Sequence, residues 1–180
     1  MKQMIAILLL LTLSLSMWGC SSSNSNLNQP SNIDPNGFSS LDELAGAYVA
    51  MQTCSITKEQ YRKCFPESHW EDTDIEQQYS AMCDHIPVWQ EIIKKYGNNF
   101  NVSYKIVSKE VTYDGSNSNY TSSENEKHIS IYGVSIKERM VYAVSIILTL
   151  KGSAMEETQS IEFSCVKIAN KWYADDNMTS

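Results

Sequence analysis

The chain has 180 residues, 42% of them apolar and 19% charged, which is the balance of a folded protein rather than a disordered one. All 21 acidic residues and 13 of the 14 basic ones follow Cys20, leaving that part at a formal −8 against −7 for the whole chain. Such an acidic surface disfavours nucleic acid, and no Lys/Arg cluster is large enough to hold an anionic bilayer.

Lys2 precedes an apolar run from Met4 to Trp18, interrupted only by Thr12, Ser14 and Ser16, and Gly19-Cys20-Ser21 follows at once. The run is shorter than the roughly 18 residues that span a bilayer, so residues 1–19 read as a secretory leader. The Gly19-Cys20 junction resembles the lipobox of bacterial lipoproteins, with Met17 and Trp18 departing from the usual Leu and small residue. That resemblance implies a lipid on Cys20 and a domain held at the extracytoplasmic face of the cell membrane. Residues 21–40 are polar or turn-forming except Leu27, Ile33 and Phe38. With Cys20 they read as a tether (20–40) with a reach of about 25 Å, ahead of a domain over 41–176.

Ser40 with Glu43 predicts a capped first helix, with Leu41, Leu44, Ala45 and Tyr48 on one face. Thr57 with Gln60 opens a short second helix carrying Tyr61, Cys64 and Phe65, stopped by Pro66. Thr73 with Glu76 opens a third, which turns Ile75, Tyr79, Met82, Cys83 and Ile86 inward. Pro87 kinks or restarts that helix, and Gly97 ends it.

From Phe100 the period drops to two. Phe100, Val102, Tyr104 and Ile106 alternate and then change phase to Val111 and Tyr113, as in a bulged strand. Residues 114–130 read as a polar loop with a short helix around Glu124 to Ile131. Met140, Tyr142, Val144, Ile146, Leu148 and Leu150 make a second strand with one buried face, and Ile161, Phe163 and Cys165 a third. Ala169-Asn170-Lys171 turns the chain into Trp172 and Tyr173, with Asn170 expected to take the left-handed conformation. The fold class is therefore α+β, with N-terminal helices on a curved antiparallel sheet.

The opening Leu41-Asp42-Glu43-Leu44-Ala45 helix and the closing Val166-Lys167-Ile168-Ala169-Asn170-Lys171-Trp172-Tyr173 hairpin resemble the nuclear-transport-factor-2-like cone fold found in many small lipoproteins. The resemblance implies a cavity between helices and sheet. Asp84 and His85 beside Pro87, with Tyr104, Tyr142 and Trp172, are the candidate pocket residues.

Cys54, Cys64, Cys83 and Cys165 form an even set outside the lipidation site and are candidate disulfide partners. Of three pairings, Cys54 with Cys64 and Cys83 with Cys165 is preferred. Cys64, His69, Cys83 and His85 are legal zinc ligands, but their spacing matches no compact zinc pattern, so neither metal nor cofactor is expected. The acidic residues Glu67, Glu71, Asp72, Asp74 and Glu76 suit a helix start. No Gly-x-Ser-x-Gly, phosphate loop or His-Glu-x-x-His occurs, so no catalytic residue is assigned. The leading expectation is a non-catalytic module binding a small ligand or an envelope protein. The alternative is a cavity enzyme of the dehydratase or isomerase kind using a buried carboxylate or histidine.

Overall fold

Helices begin where a side chain can satisfy the first N–H groups, which have no acceptor within the helix. The computed structural model describes residues 36–66 and 72–175; the leader, Cys20 and most of the expected tether lie outside the described residues. Helix α1 (Leu41–Gln52) starts at Ser40, whose hydroxyl accepts the Glu43 N–H at 3.2 Å. The Glu43 carboxylate reaches past Ser40 to accept from the Ser39 N–H at 2.9 Å and the Ser39 hydroxyl at 2.7 Å. Helix α2 (Lys58–Lys63) has the complete reciprocal box, Gln60 N–H to the Thr57 hydroxyl at 3.2 Å and Thr57 N–H to the Gln60 side chain at 3.0 Å.

Helix α3 (Asp72–Cys83) begins one residue ahead of Thr73, so Thr73 lies inside the helix rather than at its cap. Glu76 pairs instead with Lys58 of α2. Pro87 restarts the chain as a separate helix α4 (Ile86–Tyr96), sitting in the first turn where a missing N–H costs nothing. Gly97 then ends α4 at φ 79°, its N–H donated to the Lys94 carbonyl.

Four antiparallel strands follow in the order β1-β2-β3-β4: β1 (Asn101–Asp114), β2 (Arg139–Lys151), β3 (Glu156–Ile168) and β4 (Lys171–Ala174). Strand β1 carries two register shifts against β2, between Ile106 and Ser108 and between Val111 and Tyr113, the change of phase expected from its sequence. The fold class is α+β, as the sequence implies. Val144, Ile146, Leu148 and Leu150 face the helices and join Leu44, Ala45, Tyr48, Trp89, Ile92 and Tyr96 in one core. Tyr48 of α1 stacks on Phe163 of β3 with ring centroids 4.3 Å apart. Gly152 admits the end of α4 against the β2–β3 hairpin, since a Cβ there would meet the Tyr96 carbonyl.

The opposite face of the sheet has a smaller core of Val166, Ile168 and Tyr173 with Val141, Tyr132 and Val134. It lies beneath α5 (Ser122–Tyr132) and a 3-10 turn over Ile136–Glu138. Helix α5 is longer than the short helix expected within 114–130. It opens on a second complete capping box, Thr121 with Glu124, which sequence reading did not single out.

Two expectations need correction. Residues 36–40, read as part of the tether, are tied into the domain: Phe38 and Trp172 exchange both backbone hydrogen bonds at 2.9 Å, and Phe38 is buried. One apolar residue in a polar stretch suffices here because it extends the edge of β4, where an unpaired strand would otherwise lie open. In the β3–β4 hairpin it is Ala169, at φ 52°, and not Asn170 that takes positive φ. The pairing of Ile168 with Lys171 leaves Ala169 and Asn170 as a two-residue loop, so the tight reversal itself requires positive φ there.

Candidate functional site

The five expected pocket residues do not converge. Asp84 is exposed in the turn between α3 and α4, and His85, half-buried, precedes α4 without a side-chain capping bond. Tyr104 is drawn to α1, its hydroxyl donating to the Asp42 carbonyl at 2.8 Å. Tyr142 and Trp172 do come together, both buried, with ring centroids 5.0 Å apart and planes inclined by 44°.

Strand register explains that pair and shows what else lies there. Tyr142 stands opposite Cys165, Met140 opposite Lys167, and Lys167 opposite Trp172, so these side chains share the helix-facing side of the sheet. After the first bulge Lys109 pairs with Val144 and joins the same face. Its ammonium sits 5.1 Å from the Tyr142 ring centroid and 5.6 Å from that of Trp172, and the Lys167 ammonium sits 5.6 Å from the Trp172 ring. An ammonium at this range is attracted to the negative face of an aromatic ring.

Below the rings, burial pushes the Cys165 thiol up to about 12, with Asp175 raising it further and Lys109 opposing. The Tyr142 hydroxyl is raised by burial, then by Cys165 and Asp114, and it lies 3.3 Å from the Met140 sulfur. A thiol so placed stays protonated at neutral pH and is a poor nucleophile. The arrangement is an aromatic floor under two cations, chemistry suited to holding an anionic group and not to acyl transfer.

Sequence reading missed both lysines. Lys167 was in view, inside the closing hairpin, but Lys109 reaches this face only through the bulge at Val107. His128 was missed as well. It is buried on α5, with Nδ1 2.8 Å from the Val134 carbonyl, which can only accept, so Nδ1 carries the proton. Among the described residues its Nε2 and the Arg139 Nε lack hydrogen-bond partners. Burial holds its pKa below the usual histidine value; the Val134 bond opposes this and Arg139 adds to it.

All four domain cysteines are thiols in the structure. Neither Cys54 with Cys64 nor Cys83 with Cys165 is bridged there. Cys64 is fully buried at the end of α2 and its Sγ donates to the Gln60 carbonyl at 3.4 Å, whereas Cys54 is half-buried beyond the end of α1. Cys165 is likewise sealed under the sheet's aromatic end, while Cys83 is half-buried on α3. Of the weighed zinc set, His69 lies outside the described residues. Among those described, no three His, Cys, Asp or Glu side chains group as metal ligands. No described helix is long and apolar enough to cross a membrane.

Comparison with protein-family models, with curated proteins and with solved structures finds no match.

Proposed function

We propose that the chain is an exported lipoprotein, held through a lipid on Cys20 at the outer face of the cytoplasmic membrane, whose α+β domain is a non-catalytic binding or interaction module. The observation that carries this reading is the Met4 to Trp18 apolar run ending directly in Gly19-Cys20, followed by polar chain. The order of helices, then antiparallel sheet, then a closing Lys171-Trp172-Tyr173 strand supports the likeness to the cone fold. Lys109 and Lys167 over Tyr142 and Trp172 form the surface best suited to a ligand or partner bearing an anionic group. A dehydratase-type reading draws no support from Asp84, which is exposed in the turn before α4 rather than set in a cavity.

The anchor is tested with the full chain and its Cys20→Ser variant in cells given a labelled fatty acid. The parent chain takes up label and enters the detergent phase on phase separation, and the variant does neither. Label retained by the variant overturns the assignment. Native mass spectrometry of the parent and of a Lys109→Met, Lys167→Met double variant tests the binding surface. A copurifying adduct lost in the double variant supports it, and an adduct unchanged by the substitutions removes it.

A further inference from the structure

The segment leaving α1 and the helix α2 that follows it lie against α3, held by three contacts. Lys58 pairs with Glu76, the Tyr79 hydroxyl donates to the Ile56 carbonyl at 3.3 Å, and the Tyr61 hydroxyl donates to Gln78 at 3.0 Å. Two residues back from Ile56 is Cys54, and one helical turn beyond Tyr79, on the same face of α3, is Cys83. Burial and then the neighbouring Cys83 raise the Tyr79 hydroxyl, and burial and then the nearby Cys83 raise the Cys54 thiol.

Two further observations separate this pair from the other cysteines. Both members are half-buried and open to a reagent, whereas Cys64 and Cys165 are wholly enclosed. Cys54 also holds φ at 50°, a left-handed conformation that residues with a Cβ rarely adopt, in the turn that ends α1.

We propose that Cys54 and Cys83 are an oxidisable pair that closes a disulfide between the end of α1 and the end of α3, while Cys64 and Cys165 remain thiols. The oxidant is a small-molecule or protein disulfide. The thiolate of one cysteine attacks it, giving a mixed disulfide and one released thiolate. The second cysteine, losing its proton, attacks the protein sulfur and expels the other half. Two electrons pass from the protein thiols to the external disulfide, which leaves as two thiols. The bond encloses α2 and most of α3, restricting that loop in the unfolded chain, and it does not depend on the lipid anchor.

The full chain in detergent is treated with oxidised glutathione, blocked with iodoacetamide and digested without reductant. The expected product is a peptide joining Cys54 to Cys83, in a chain lighter by two hydrogens. Cys64 and Cys165 are alkylated only after denaturation. The oxidised form should unfold about 5–10 °C above the reduced one. Cys64→Ser keeps the link and Cys54→Ser abolishes it. A bridge involving Cys64 or Cys165 overturns the proposal, as does full alkylation of native Cys54 and Cys83 after oxidation.

Discussion

Strand β2 passes through two different environments on one face. Toward the β2–β3 hairpin, Ile146, Leu148 and Leu150 share a core with α1 and α4, and the Tyr96 hydroxyl closes that end through a 3.0 Å bond to Glu157. Toward its start, Tyr142 is covered by the Lys109 ammonium and by Trp172, next to Val111, which stays 51% exposed. Alternating apolar residues ran through both ends alike. What differs is the cover: apolar helix faces at one end, and at the other the Lys109 and Lys167 ammonium groups added over the rings. An apolar helix face excludes water, whereas the ammonium groups leave charge at the edge of the buried rings.

The largest effect is expected at the helix-covered end. Leu148→Ala should lose about 2–5 kcal/mol, read as a lower denaturant midpoint with an unchanged slope, because the cavity left there cannot collapse. An intermediate effect tests whether burial of thiols is shared by both ends. Cys64 and Cys165 have thiols raised from 9.0 to about 12, so the folded state binds more protons above that lower value. Stability is therefore full below pH 9 and falls by about 1 kcal/mol per thiol for each pH unit above it, until pH passes the folded value. Cys165→Ala should make the alkaline slope shallower in pH-dependent denaturant titrations by one thiol's share, the rest coming from Cys64, Cys54 and the buried tyrosines.

Gly152→Ala presses a Cβ on the Tyr96 carbonyl and should cost about 1–3 kcal/mol by thermal unfolding. Lys109→Met, at the lysine-covered end, should cost only about 0.5–1 kcal/mol while abolishing any anion binding there, and a loss as large as that of Leu148→Ala would erase the distinction between the ends. The smallest effect belongs to His128. Its folded pKa lies below the ordinary 6.5, so stability is complete above that value and declines as pH falls through the folded one. His128→Gln should flatten that limb of the acid unfolding curve.

Local signals in the chain carried the elements well. Thr57 with Gln60 formed the box its spacing implied, Pro87 restarted a helix, Gly97 ended it, and the phase change after Ile106 became a bulge. The failures have one cause. Phe38 looked like part of a polar tether because the strand edge it completes lies far along the chain at Trp172. Lys109 looked like any surface lysine because its neighbours come from β2 and β4. The cysteines drew attention as an even set, and which of them lie near one another depends on how α3 packs against the segment after α1. Asp84 and His85 drew attention as a polar pair beside a proline, and only the fold shows that Asp84 faces water.

From the sequence alone came the α+β class and the periodicities that bury one face of most helices and strands, since these depend on residues within a few positions of one another. Tertiary structure alone decided which aromatic rings meet, which lysines cover them, and which thiols are enclosed. Those outcomes depend on strand register and helix docking, where one bulge or one residue of slip moves a side chain to the other face of the sheet.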